Sequence, residues 1–213
     1  MKKIFALPLI LVFVIALSAA IKPTPQQWIS LFDGKSLNGW KVGKNASTFS
    51  IENGAIKVAG PVAHLFYDGP VQNHQFKNFE FKAEVMTTPG SNSGIYFHTL
   101  FQEAGFPDKG YEVQVNNSHG DNKRTGSLYD IVDVSEVYVK DNIWYTEYIK
   151  VEGKHVIVKI NDTVVVDYTE PENPLRIDNH PQRLISNGTF AFQGHDPKSK
   201  VYYKNILVNV LPE

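Results

Sequence analysis

Three short alternating runs of this 213-residue chain carry side chains able to move protons or bind hydroxyl groups. In Tyr111-Glu112-Val113-Gln114-Val115, the strand period of two sets Glu112 and Gln114 against an apolar face. In Phe190 to His195, Ala191 and Gln193 oppose Phe190 and Phe192, and His195 joins them if the strand continues. In the Ile95 run, Tyr96 and His98 oppose Ile95 and Phe97. Ordinary solvent-facing strand positions favour Lys, Thr and Glu. Gln with His and Tyr is closer to a saccharide-recognising composition, because a sugar needs bidentate polar partners and an aromatic platform. A half-exposed sheet without a ligand gives the same parity.

The elements that must position these side chains read as strands throughout. Phe49 to Val58 is a hairpin about Asn53-Gly54, and Phe79 to Val85 alternates over seven residues. Two consecutive hairpins run from Tyr148 to Tyr168 through Gly153 and Asn161-Asp162, and Val201 to Val210 closes the series. No stretch after residue 21 holds an apolar period of 3.6 over three turns. About a dozen short strands with local and long connections imply an all-β domain of two stacked antiparallel sheets. Asp33-Gly34 reads as a turn and Trp40 as core.

Residues 1–20 stand apart. Lys2 and Lys3 precede an apolar run from Ile4 to Leu17, and Ser18-Ala19-Ala20 supplies the small residues a signal peptidase accepts. The expectation is a Sec-type signal peptide (1–20) and a single β-sandwich domain (21–213), periplasmic or extracellular in a bacterium. The alternative is an uncleaved anchor, since about 17–20 apolar residues just span a bilayer. The formal charge is -1, with 21 basic and 22 acidic residues, and loss of the leader's two lysines would leave the domain mildly acidic. Without net positive charge or a basic run, nucleic acid is not an expected partner. The absence of cysteine excludes disulfides, thiolate catalysis, Cys-ligated zinc and a lipoprotein anchor.

Several blocks, in order, resemble the 3-keto-disaccharide hydrolase family, also described as 3-keto-glucoside 1,2-lyases and 3-keto-2-hydroxyglucal hydratases. They are Leu31-Phe32-Asp33-Gly34-Lys35-Ser36-Leu37-Asn38-Gly39-Trp40, Asn92-Ser93-Gly94-Ile95-Tyr96-Phe97, Gly110 to Val115, Thr125-Gly126-Ser127-Leu128-Tyr129 and Gln193-Gly194-His195, with Tyr203-Lys204-Asn205-Ile206 closing. The resemblance implies a concanavalin A-like jelly roll. It also implies cleavage of 3-keto-glycosides by elimination at C1–C2 and hydration, a net hydrolysis. Glu112 and His195 would be the acid/base pair, and Gln114, Gln193, Tyr96, His98, Asn92 and Tyr129 would bind substrate.

A ketone at C3 acidifies the C2 hydrogen, so such a site needs a base, a group opposite the C3 oxygen and a donor to the leaving oxygen. No cofactor is demanded. A divalent cation could polarise the ketone, and its ligands would be oxygen or imidazole. A separate oxidoreductase would have to make the 3-keto substrate, since no dinucleotide fingerprint is present.

Each assignment has a structural rival. Glu112 can be an acceptor for a neighbouring cation, His195 a strand-end cap before Asp196-Pro197, and Asn92-Ser93-Gly94 a turn. Asp130 and Asp133 either line the site or form ion pairs, and His119-Gly120-Asp121 reads as a polar loop. His98 and Lys204 stand where Arg is usual in the family, and Trp144-Tyr145 where Trp-Asn is expected. These departures keep a second reading open, a non-catalytic glycan-binding jelly roll. An ordinary glycosidase would need two carboxylates facing one cleft.

Overall fold

The computed structural model describes residues 27–176 and 180–212. The leader, residues 1–20, lies outside them.

The first strands are β1 (Ile29–Ser30), β2 (Trp40–Val42), β3 (Phe49–Glu52), β4 (Ala55–Ala59) and β5 (Ala63–Tyr67). The middle ones are β6 (Phe79–Thr87), β7 (Ser93–Thr99), β8 (Tyr111–Val115) and β9 (Tyr145–Glu152). The last are β10 (His155–Ile160), β11 (Thr163–Thr169), β12 (Thr189–Gly194) and β13 (Lys200–Val210). The larger sheet has eight strands in the order β11-β10-β9-β6-β13-β4-β3, with β1 on β13; the smaller has the order β2-β5-β12-β7-β8. Every named pairing is antiparallel. Among the described residues the only helical turns are two short 3-10 pieces, Ala46–Thr48 and Val71–His74.

Local chemistry explains the hairpins. Asn53 and Gly54 both take positive φ between β3 and β4, which a two-residue turn matched to strand twist requires. Asp33 accepts the backbone N–H groups of Lys35 and Ser36, the turn its sequence predicts. Trp40 is core: its indole N–H donates to Leu31 O at 2.9 Å, and its ring stacks on Phe192 at 5.2 Å.

The core lies between the sheets. Phe79, Phe81, Ala83 and Val85 of β6 meet Phe190 and Phe192 of β12 and Ile95, Phe97, Tyr111, Val113 and Val115 of the smaller sheet. Alternation then sends Tyr96, Glu112, Gln114, Ala191 and Gln193 to the smaller sheet's outer face. This face bears the candidate site. Phe66, Tyr96 and Ala191 form a second, small apolar cluster on it.

Candidate active site

Glu112 is built into the floor of a cleft by three neighbouring strands. Cross-strand register sets Tyr96 opposite it and Gly94 opposite Gln114. The Tyr96 hydroxyl donates to Glu112 Oε2 at 2.7 Å, and Gln193 Nε2 donates to Oε1 at 2.8 Å and to the Tyr96 oxygen at 3.0 Å. Gly94 makes the space: a β-carbon there would lie 2.4 Å from Glu112 Oε1. Ser93 points inward instead, donating to Gln193 O and accepting from Tyr203, so it ties the cleft floor to the core. The Asn-Ser-Gly block is thus one lining residue, one brace and one vacancy for the acid.

A cation completes the group. Arg183, 4% exposed, places its guanidinium 3.9 Å from Glu112 Oε2 and 3.6 Å from Asp130, and donates to Tyr129 O. Burial pushes the Glu112 carboxyl above its ordinary range, against the Tyr96 hydrogen bond, the Arg183 charge and the Gln193 hydrogen bond, which pull it down. Burial likewise holds the Tyr96 hydroxyl protonated, so it remains a donor to the carboxylate.

His195 follows the last residue of β12 and lines the same cleft. Its Nδ1 lies 2.8 Å from Asp196 Oδ2. Desolvation raises the Asp196 carboxyl, but hydrogen bonds from Ser199, His195 and the Lys198 backbone outweigh it and hold it down at about 2. An ionised Asp196 keeps the proton on Nδ1 and leaves Nε2 for chemistry, the arrangement by which carboxylates orient catalytic imidazoles.

The cleft encloses about 280 Å³ and is also lined by Asn92, Phe106, Gln114, Asp121, Tyr129 and His180. Gln114 donates to Asn92 Oδ1 at 3.2 Å, and Asn92 Nδ2 is 3.3 Å from His119 Nδ1. The Oε1 atoms of Gln114 and Gln193 are buried with no partner. Buried amide oxygens without donors carry a desolvation cost, and these two lie beneath the cleft surface.

Of the sequence-predicted residues, Glu112, His195, Gln114, Gln193, Tyr96, Asn92 and Tyr129 all line this cleft. His98 does not. Its positive φ of 55° coincides with a register shift between β7 and β12 and breaks the alternation. The ring turns edge-on to Phe79 and Phe97, with Nε2 2.9 Å from Lys77 O and Nδ1 accepting from Ser186 N. Burial lowers it to about 4. His98 is a neutral core histidine, which corrects its expected place beside Tyr96. The other departures are also remote: Tyr145 is buried core, and Lys204 pairs with Glu84 and covers Trp144. Asp130 forms ion pairs with Lys123 and Arg183, and Asp133 lies 3.8 Å from Lys123.

Sequence reasoning missed Arg183, His180, Phe106 and the function of Asp196. One signal for Arg183 was available. The chain has only three arginines among its 21 basic residues, and a scarce planar, permanently charged side chain marks places that lysine cannot serve.

His119, His195 and Asp196 present ligand-type atoms within 4.8 Å of one another. Asp196 is committed to other partners, so the three do not offer a full ligand set as arranged. Asp196 Oδ1 accepts from Lys198 N and Ser199 N, and Oδ2 from Ser199 Oγ and His195, which fills its four lone-pair sites. His119 Nδ1 already accepts from Asp121 N. The cluster is a hydrogen-bonded dyad with a neighbouring imidazole.

An antiparallel two-sheet sandwich of this topology is a jelly roll, and its smaller sheet turns amide, imidazole and carboxyl side chains outward. More narrowly, the chain belongs to the 3-keto-alpha-glucoside-1,2-lyase-like domain family, whose sequence model matches residues 27–209. It is 32% identical, over an alignment of 170 residues, to a 3-keto-disaccharide hydrolase of Bacteroides thetaiotaomicron. That alignment covers 66% of this chain and 58% of the relative, so the chain spans little more than half of the curated protein. In fold it is similar to a Parabacteroides distasonis protein provisionally named a glycosyl hydrolase, with a TM-score of 0.73 and 22% identity over 87% of this chain and 94% of that one. A carbohydrate-binding module from Bacillus subtilis shares the fold at a TM-score of 0.54 and 11% identity, covering 80% of this chain and 95% of the module.

Proposed function

We propose that the protein is an exported enzyme that cleaves 3-keto-glycosides by elimination across C1–C2 and then hydrates the product. The observation that carries this reading is the pairing of a buried, cation-backed Glu112 with an oriented His195 in one polar cleft. Glu112 takes the C2 proton, and burial makes it a stronger base than a solvated carboxylate. The C2–H electrons pass into an enolate whose oxygen, at C3, is stabilised by the Arg183 charge. Collapse of the enolate restores the C3 ketone, forms the C1=C2 bond and breaks C1–O, and protonated His195 gives the leaving oxygen its proton. In hydration the roles reverse. His195 takes a proton from water as it adds to C1, and Glu112 returns its proton to C2. Every step uses groups of this chain, and the oxidation that creates the C3 ketone belongs to a separate oxidoreductase.

The mature protein should release aglycone from a 3-keto-glucoside and not from the unoxidised parent, with the rate retained after chelator treatment. In D2O the released 3-keto-glucose should carry deuterium at C2 beyond what the free sugar acquires in the same time. Turnover of the parent would overturn elimination. A rate lost to chelator and restored by a divalent ion would overturn the metal-free mechanism. For export, the protein recovered outside the cytoplasm should begin at Ile21 by intact mass; a species retaining Met1 in the membrane fraction would contradict cleavage.

A further inference from the structure

Among the cleft residues to which the proposed chemistry gives no step, Phe106 stands apart. Phe106 is the only wholly apolar side chain lining the cleft among the described residues, and it is 44% exposed. A lone exposed Phe on a mobile loop would mean little. Here the loop between β7 and β8 is braced: the Gln102 amide donates to Ala104 O and Phe106 O and accepts from Asp108 N. Lys44 N donates to Glu103 O at one side, and Gly110 N donates to Gln182 O at the other. The Phe106 ring meets buried His64 edge-on at 5.7 Å and stands 6.2 Å from the ring of His195. The loop therefore holds a partly bare aromatic ring beside the group that protonates the leaving oxygen.

We propose that Phe106 is the platform of a leaving-group subsite, stacking against a flat apolar ring face attached to the C1 oxygen. The assignment rests on the role of His195 above, since the proton donor and the departing ring must be neighbours. An aromatic aglycone and the apolar face of a second pyranose share this chemistry. Glu112, Gln193 and Arg183 then hold the keto sugar, and selectivity for what is attached to it resides on the loop. Phe101, on the same loop, packs on Phe66 at 5.4 Å and lines a different recess, so it supplies the control.

The test compares kcat/KM for methyl, phenyl and glucosyl 3-keto-glucosides in wild type, Phe106→Ala, Phe106→Trp and Phe101→Ala. Phe106→Ala should lower the value for phenyl or glucosyl substrate, or both, by about tenfold, the scale of a lost ring contact. Which of the two falls identifies the natural leaving group. The methyl substrate should change less than twofold, Phe106→Trp should restore the loss, and Phe101→Ala should change none. An equal loss on the methyl substrate, or no loss on either ring, overturns the proposal. If wild type turns over no 3-keto-glycoside, the catalytic reading fails, and equilibrium binding of phenyl glucoside decides this one separately. Binding weakened about tenfold by Phe106→Ala supports the platform, and unchanged binding overturns it.

Discussion

Glu112→Gln should lower turnover of a 3-keto-glucoside by about 10³-fold while leaving the fold in place, since a positioned acid/base is worth roughly 10²–10⁴. The substitution keeps shape and volume, and the space opposite Gly94 still accommodates the group. The new amide oxygen can accept from Tyr96, and Gln193 can rotate its unpartnered Oε1 toward the new NH2. Arg183 retains Tyr129 O and Asp130. Arg183 is itself buried but keeps Asp130 as counter-ion, so melting should fall only modestly. The pH profile should lose the limb that reports this carboxyl. A kcat within tenfold of wild type would remove Glu112 from proton transfer.

The second large effect concerns stability. Glu147 on β9 faces the core, is 0% exposed, and neither carboxyl oxygen has a partner. Burial alone holds it well above the ordinary carboxylate value of 4.5. The folded protein thus keeps a proton that the unfolded chain releases. Its contribution is intact below about 4.5 and is lost as pH rises toward the folded value, at about 1.4 kcal/mol per pH unit. Glu147→Leu should therefore gain on wild type by about that slope in urea melts as pH rises from about 5 toward the folded value. Because every other titrating group is common to both proteins, the difference isolates this one. A constant difference across that range would show that Glu147 is solvated or paired in solution.

The site's floor was legible because period two depends only on strand state. Tyr111 to Val115 and Phe190 to Gln193 could place Glu112, Gln114 and Gln193 on one side with no knowledge of the partner sheet. The same rule failed at His98, where a positive φ rotates the side chain inward, a tertiary effect absent from alternation. Strand β5 was also missed. Ala-His-Leu-Phe-Tyr lacks alternation because both faces are covered, one by the core and the other under Phe101 and Phe106. Arg183 sits in irregular chain before β12, where only long-range contacts decide which residue reaches the acid. The Asp196-Pro197 turn was readable, but its second use as the orienting partner of His195 was not, since the same carboxylate serves both.

The division of the smaller sheet into a buried and an outward face has a consequence for the sequence. Along β7, β8 and β12, neighbouring letters of the sequence meet different physical demands: Ile95, Val113 and Phe192 fill the core, and Tyr96, Glu112 and Gln193 line the cleft. Outward letters can change without erosion of the scaffold. One framework can thus carry different outward chemistries, with the fold specified in every second residue.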